Sequence, residues 1–254
     1  MSKSCLFLSL IGLTWLLVSC GEKRIRKNET IVPLEVESKT NSKSINFFHY
    51  EELNEYPDAI LEMFKPLGNE RFEPGRVPFE FNIKNFPFGE SLQRFPLKIV
   101  INGQDPIGYN MPIFSREFNT GTYRVTAFLV DPDGISLKNF GNYVDRDFIV
   151  GASRPFPGLE EPYLVLNLPN NETEYNQQDE ILVDFLLIGG DFEQDGLKCL
   201  LTLGDWTHET RELNPIRIEN LPKGDYDLKL SLLKENGEEL TGLFSTAFKK
   251  IKVN

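Results

Sequence analysis

The stretch Asn119-Thr-Gly-Thr-Tyr-Arg-Val-Thr-Ala-Phe-Leu-Val-Asp-Pro-Asp-Gly-Ile-Ser-Leu137 constrains this chain most, because it occurs twice. Its echo is Pro222-Lys-Gly-Asp-Tyr-Asp-Leu-Lys-Leu-Ser-Leu-Leu-Lys-Glu-Asn-Gly-Glu-Glu-Leu240. Each copy reads Gly-x-Tyr, then apolar residues at alternate positions, then an Asp-Gly or Asn-Gly pair followed by a leucine. Gly121 and Gly224, Tyr123 and Tyr226, Val125 and Leu228, Leu129 and Leu232, and Gly134 and Gly237 all recur at an offset of 103 residues. Period-two alternation suits a half-buried strand, whose successive side chains point to opposite faces. Asp-Gly and Asn-Gly supply the positive backbone angles of a tight turn. The repeat therefore predicts two copies of one all-β unit.

The same offset organises the flanks. Ala59 to Phe64 has helical propensity, but Pro66 aligns with Pro169 and pairs this segment with Tyr163-Leu-Val-Leu-Asn-Leu168, which is strand-like. Both are read as first strands. Further strands are expected at 77–85, 97–102, 112–118, 122–130 and 146–150, then at 181–188, 197–203, 215–219, 225–234 and 248–253. Phe79-x-Phe81-x-Ile83 and Val183-x-Phe185-x-Leu187 read as matching inward faces. Short strands, frequent turn signals and no sustained helical period point to two antiparallel β-sandwiches. The expected division is a leader at 1–19, a tether at 20–56, sandwiches at 57–151 and 162–254, and a proline-stiffened linker at 152–161.

The chain opens with Lys3, an apolar run from Cys5 to Val18, and Leu17-Val-Ser-Cys20. The run is too short to span a bilayer comfortably, which takes about 20 apolar residues. It resembles a bacterial secretion leader ending in a lipobox. That resemblance implies cleavage before Cys20, acylation of its thiol with diacylglycerol, and acylation of the new amino terminus by a fatty acid such as palmitate. Two or more chains hold a protein firmly on a membrane. Gly21 in the next position, instead of aspartate, implies an outer-membrane address. Residues 21–46 are polar and poor in aromatics, as expected of a tether.

The Gly-x-Tyr at 121–123 and 224–226 resembles the tyrosine corner of immunoglobulin-like domains, and the likeness to Ig-like or fibronectin-like sandwiches covers 57–254. It implies a fold and not a function, because such sandwiches serve adhesion, glycan contact, scaffolding and spacing. With Cys5 removed and Cys20 lipidated, Cys199 is left without an internal disulfide partner and reads as a small core hydrophobe.

Chemistry is sparse. His49 and His208 lie in different segments, and no HExxH, CxxC, GxSxG, P-loop or dinucleotide fingerprint is present. No metal or other cofactor is expected. Asp131-Pro-Asp-Gly134 reads as a plain turn, since the matching Lys234-Glu-Asn-Gly237 lacks a comparable set of oxygen ligands. A formal charge of −11 makes nucleic acid an unfavourable partner. The residues expected to meet a ligand are Asp205, Trp206 and His208, in a loop after a strand, together with Tyr109. Trp206 could instead fold back to cap its sandwich. The sequence thus reads as a lipid-anchored envelope protein that binds or scaffolds without catalysing. It presents its domains to a protein partner; a glycan-binding surface lipoprotein and a small envelope hydrolase are the alternatives.

Overall fold

The computed structural model describes residues 44–50, 56–88, 95–157 and 161–254. The leader, Cys20 and the tether up to residue 43 lie outside the described residues. Seventeen strands and no helix are present among the described residues. A first strand, β1 (Asn46–His49), precedes a sandwich built from β2 (Ile60–Lys65), β3 (Glu70–Phe72), β4 (Gly75–Lys84), β5 (Leu97–Ile101), β6 (Ile107–Tyr109), β7 (Ile113–Phe118), β8 (Gly121–Leu129) and β9 (Tyr143–Val150). The second sandwich repeats this order as β10 (Tyr163–Leu168), β11 (Thr173–Tyr175), β12 (Ile181–Ile188), β13 (Leu197–Leu203), β14 (Trp206–Thr210), β15 (Ile216–Glu219), β16 (Gly224–Lys234) and β17 (Thr246–Val253).

The sheets are β2-β4-β7 against β3-β9-β8-β5-β6, and β1-β15-β12-β10 against β11-β17-β16-β13-β14. This is an all-β pair of Ig-like sandwiches. The repeat extends to details. Strands β3 and β11 both run parallel to the last strand of their unit. The Lys65–Pro66 and Leu168–Pro169 bonds are both cis. The Tyr123 hydroxyl donates to the Asn119 carbonyl at 3.0 Å, and Tyr226 to that of Pro222 at 2.8 Å. Glycine is needed two residues earlier: a Cβ on Gly121 would lie 3.0 Å from the Tyr123 hydroxyl oxygen, and one on Gly224 3.3 Å from that of Tyr226. Gly134 and Gly237 turn their hairpins at the same φ of +85°.

Each unit has its own core. Phe79, Ile99, Val125 and Phe148 lie in the first, and Val183, Phe185, Leu201 and Leu230 in the second. A third apolar cluster joins them: Val100, Phe128 and Val130 meet Tyr163, Val165, Leu186 and Ile188. It forms because alternate residues of β5, β8, β10 and β12 point away from their own cores. The outer face of the β8 sheet is packed on the outer face of the β10–β12 sheet. Residues 42–254 accordingly behave as one compact unit.

Strands β3, β6 and β11 were not expected, and two further differences bear on the candidate site. Residues 46–49 fall within the stretch read as tether, yet β1 pairs antiparallel with β15 from Asn46↔Glu219 to His49↔Ile216. Ile45 and Phe47 pack on the second core, which is the gain that orders them. Residues 206–210, expected as a loop, form β14 in full register with β13, from Leu203↔Trp206 to Cys199↔Thr210. Gly204 and Asp205 alone make the turn, and Gly204 has φ +56°.

Candidate functional site

The sequence-derived binding residues do not form one site. Tyr109 lies on β6 of the first sandwich. Its ring stacks on Phe114 with centroids 3.6 Å apart and planes 7° from parallel, and its hydroxyl accepts from Arg116 Nη1 at 2.9 Å. Trp206 opens β14 of the second sandwich, packs against that core and sits 6.1 Å from the Tyr226 ring. Trp206 thus caps its sandwich, while Asp205 is exposed in the adjoining turn. His208 stacks on Phe47, centroids 5.1 Å apart, and lies 5.7 Å from His49. The two histidines, far apart in sequence, meet because β1 crosses to the second sandwich. Burial, and then the neighbouring His49, pull the His208 pKa below its ordinary value. No group of three or more His, Cys, Asp or Glu side chains among the described residues could hold a metal ion. Cys199 is fully buried, and burial pushes its thiol pKa up, which keeps it unreactive.

The joint between the sandwiches is the most elaborated polar region. Asp184 on β12 has no exposed side-chain surface. Its carboxylate accepts from the Ser136 amide and hydroxyl, both at 2.8 Å, from Asn167 Nδ2, and from the Lys138 ammonium. Lys138 also donates to the Phe185 carbonyl at 2.8 Å, and Lys98 Nζ donates to Asn167 Oδ1 at 2.7 Å. Every strong acceptor on the buried carboxylate is therefore engaged, which is the condition under which a buried charge is tolerated. Nearby, Arg124 grips Asp147 through two bonds of 2.7 and 2.8 Å and lies 4.8 Å from the Tyr163 ring centre. Lys249 of the second sandwich pairs with Asp105 of the first. Asp131, whose pKa is raised by burial, caps the Ile135 amide at 2.9 Å, as a turn residue does.

Away from the joint, the β8–β9 loop displays Phe140 with 99% of its surface exposed. The backbone on either side is pinned. Asn142 Nδ2 donates to the Ala59 carbonyl at 2.6 Å, its Oδ1 accepts from the Asn139 amide at 2.9 Å, and Leu61 donates to the Gly141 carbonyl at 2.7 Å. The second sandwich repeats the last bond from Leu164 to Phe244 at 3.0 Å. There Phe244, at φ +68°, occupies the place of Gly141 and turns its ring into the joint, 6.2 Å from that of Tyr163. Among the described residues no second unit lies at this pole of the first sandwich, and Phe140 stands free. Sequence reasoning missed both features; the uninterrupted apolar runs at 128–130, 163–166 and 185–188 were the available signal for the joint.

No known family profile matches the chain, and no curated protein matches it. Solved structures with a related arrangement include the fibronectin(III)-like modules of CbhA from Clostridium thermocellum, at 13% identity, covering 77% of this chain and 94% of that one, TM-score 0.30. SGBP-B of the Bacteroides ovatus mixed-linkage glucan utilization locus, in complex with a mixed-linkage heptasaccharide, matches at 14% identity over 77% of this chain and 47% of that one, TM-score 0.23. The extracellular domain of a hybrid two-component system from B. thetaiotaomicron matches at 15% identity over 71% and 30%, TM-score 0.30. The chain thus spans about half of the second and a third of the last. By its own strand order this chain is an all-β protein of tandem Ig-like sandwiches.

Proposed function

We propose that the chain is a lipid-anchored cell-envelope scaffold, acylated at Cys20 and held on the outer membrane. It presents two Ig-like sandwiches as one rigid body to a protein partner and does not itself catalyse. The observation that carries this reading is the buried joint. A spacer needs only a flexible linker, and domains in one chain move relative to each other unless a large apolar contact fixes them. Here a third apolar core and a fully engaged buried carboxylate fix them. Rigidity lowers the entropic cost of binding, because the surface offered to a partner is already in place. Phe140, on its pinned loop, is the anchor such a surface would use; aromatic side chains dominate the binding energy of protein interfaces.

The anchor and the partner are tested separately in a two-membrane bacterial host. Metabolic labelling with a clickable fatty acid should mark the full-length protein, and Cys20→Ser should abolish both the label and outer-membrane fractionation. A photo-crosslinker at position 140 should give a discrete adduct that is absent when the crosslinker sits at position 236, in the exposed turn of the second sandwich. Labelling that survives Cys20→Ser sinks the anchor, and equal adducts from both positions sink the display surface.

A further inference from the structure

The outer face of β13-β16-β17 is the counterpart, in the second sandwich, of the face that the first sandwich buries in the joint. Residue by residue, the repeat has changed its chemistry. Register places Phe148 opposite Tyr123 and Ile251 opposite Tyr226, so the 103-residue offset holds across both last strands. Phe128 is replaced by Ser231, Arg124 by Asp227, Asp147 by Lys250, and Asp145 by Phe248. The buried Arg124–Asp147 pair has thus become Asp227 and Lys250, with the charges exchanged and the contact gone.

Two adjoining clefts of about 620 and 660 Å³ cross this face and share Asp225, Asp227 and Lys250. Phe248 lines the second cleft, mid-strand opposite Lys229, with 65% of its surface exposed. A lone exposed phenylalanine requires no explanation. The polar groups beside it set the chemistry of the cleft. Asp225 and Asp227 lie directly across the ladder from Lys252 and Lys250. Lys252 turns instead to Glu174 at 3.6 Å, and Lys229 turns to Glu239 at 2.7 Å. The side chains of Asp225, Asp227 and Lys250 are left without a hydrogen bond or ion pair among the described residues. A rigid trough therefore carries free acceptors, a free donor and one exposed ring.

We propose that this trough binds a neutral polysaccharide chain. A pyranose ring lays its C–H face on Phe248, where the negative face of the aromatic ring meets weakly positive hydrogens. Its hydroxyls donate to the Asp225 and Asp227 carboxylates and accept from the Lys250 ammonium, matching the inventory of each group. Charge selects the ligand class. Glu172, Glu174, Asp225 and Asp227 surround the first cleft and repel a polyanion, while the interleaved lysines disfavour a polycation. Hydroxyls suit both signs at once. The site differs from the loop around Trp206 to which the sequence pointed, and it stands independently of the partner reading at Phe140.

The test is affinity electrophoresis of the detergent-solubilised full-length chain in gels containing barley mixed-linkage β-glucan, xyloglucan, galactomannan or amylopectin, with polygalacturonate as the anionic counterpart. Retardation by at least one neutral polymer is expected. It should fall at least tenfold in Phe248→Ala and in Asp227→Asn, and persist in Phe140→Ala. Phe248→Ala lies on a solvated face and should leave the melting curve unchanged, so its loss of binding reports the site. Migration unaffected by all four neutral polymers, retardation by polygalacturonate alone, or full retention of binding in Phe248→Ala overturns the proposal.

Discussion

The two sandwiches share strand order, turns and tyrosine corners, yet they treat their outer faces in opposite ways. The first buries Val100, Phe128 and Val130 from the outer face of its β8 sheet; the second exposes Asp227, Phe248 and Lys250 on the corresponding sheet face. The inner faces stay apolar in both copies even where residues differ, as in Phe148 and Ile251, because each must still fill a closed core. The change in polarity falls on surfaces whose neighbour is another unit in one copy and solvent in the other. The sharpest instance is the central strand of the smaller sheet. Asp184 is sealed in the joint, whereas Glu80, next to the inward Phe79 as Asp184 is next to Val183, meets solvent. Asp184→Ala should therefore cost about 3–5 kcal/mol, because Lys138 is left charged and unpaired in a mostly buried site. Glu80→Ala should stay within about 0.5 kcal/mol. Urea unfolding midpoints of the two variants check the contrast, and equal midpoints would break it.

The flank between the two sheets separates the copies a second time. In the first sandwich, Tyr109 on β6 stacks on Phe114 of β7 and binds Arg116, so the unit closes its own side. In the second, β15 offers no aromatic there, and the gap is filled by Phe47, imported on β1 and stacked on His208. Phe47→Ala should destabilise the protein by up to about 2 kcal/mol, the value of a partly buried phenylalanine. Hydrogen exchange should locate the effect: the β15 amides 216–219 lose protection and those of β7 do not. Loss of protection spread evenly over both sandwiches would show that the strap is not local.

Much of this was legible in the sequence, and the parts that were not have physical reasons. The alternating strands and Asp-Gly or Asn-Gly hairpins carry strong local signals, and the repeat corrected the helical propensity of Ile60-Leu-Glu-Met-Phe64. The missed strands β1, β3, β6, β11 and β14 have only three to five residues, too few for a period to show. The joint could have been read from Tyr163-Leu-Val-Leu166 and Phe185-Leu-Leu-Ile188, since a strand without alternation is buried on both faces. The trough was beyond reach. It depends on which side chains of β16 and β17 remain unpaired after Lys229 and Lys252 turn to other carboxylates, a choice made by side-chain rotamers that spacing does not encode. Trp206 drew attention because tryptophan is rare, but packing, not exposure, accounts for it.

The tyrosine corners offer a test where the copies should agree. Each hydroxyl spans back to a carbonyl four residues earlier, at 3.0 Å for Tyr123 and 2.8 Å for Tyr226. Tyr123→Phe and Tyr226→Phe should each lose about 0.5–1.5 kcal/mol, the net value of one hydrogen bond, because the ring contacts survive. Thermal denaturation of the two variants would give matching shifts. A neutral result at one corner alone would mean that corner has become ornamental in its copy.

The smallest expected effect lies at the histidine pair and concerns pH. With β1 docked, burial and the nearby His49 hold the His208 pKa below its ordinary value of about 6.5. The docked state therefore binds fewer protons than the undocked one. For a base depressed in this way, the contribution to docking is fully present above the ordinary value and is lost as pH falls through the docked one. Glu212 lies 3.6 Å from His49 Nδ1 on the far side of the pair. Protection of the β15 amides should decline between about pH 7 and 5, while β7, which has no histidine beside it, should show no matching change. His208→Phe keeps the stack on Phe47 and removes the titrating group, so it should flatten the profile; His49→Ala should weaken the dependence without abolishing it, since burial is the larger cause. An unaltered decline in His208→Phe would place the sensitive group elsewhere and leave the imported strand held by apolar contact alone.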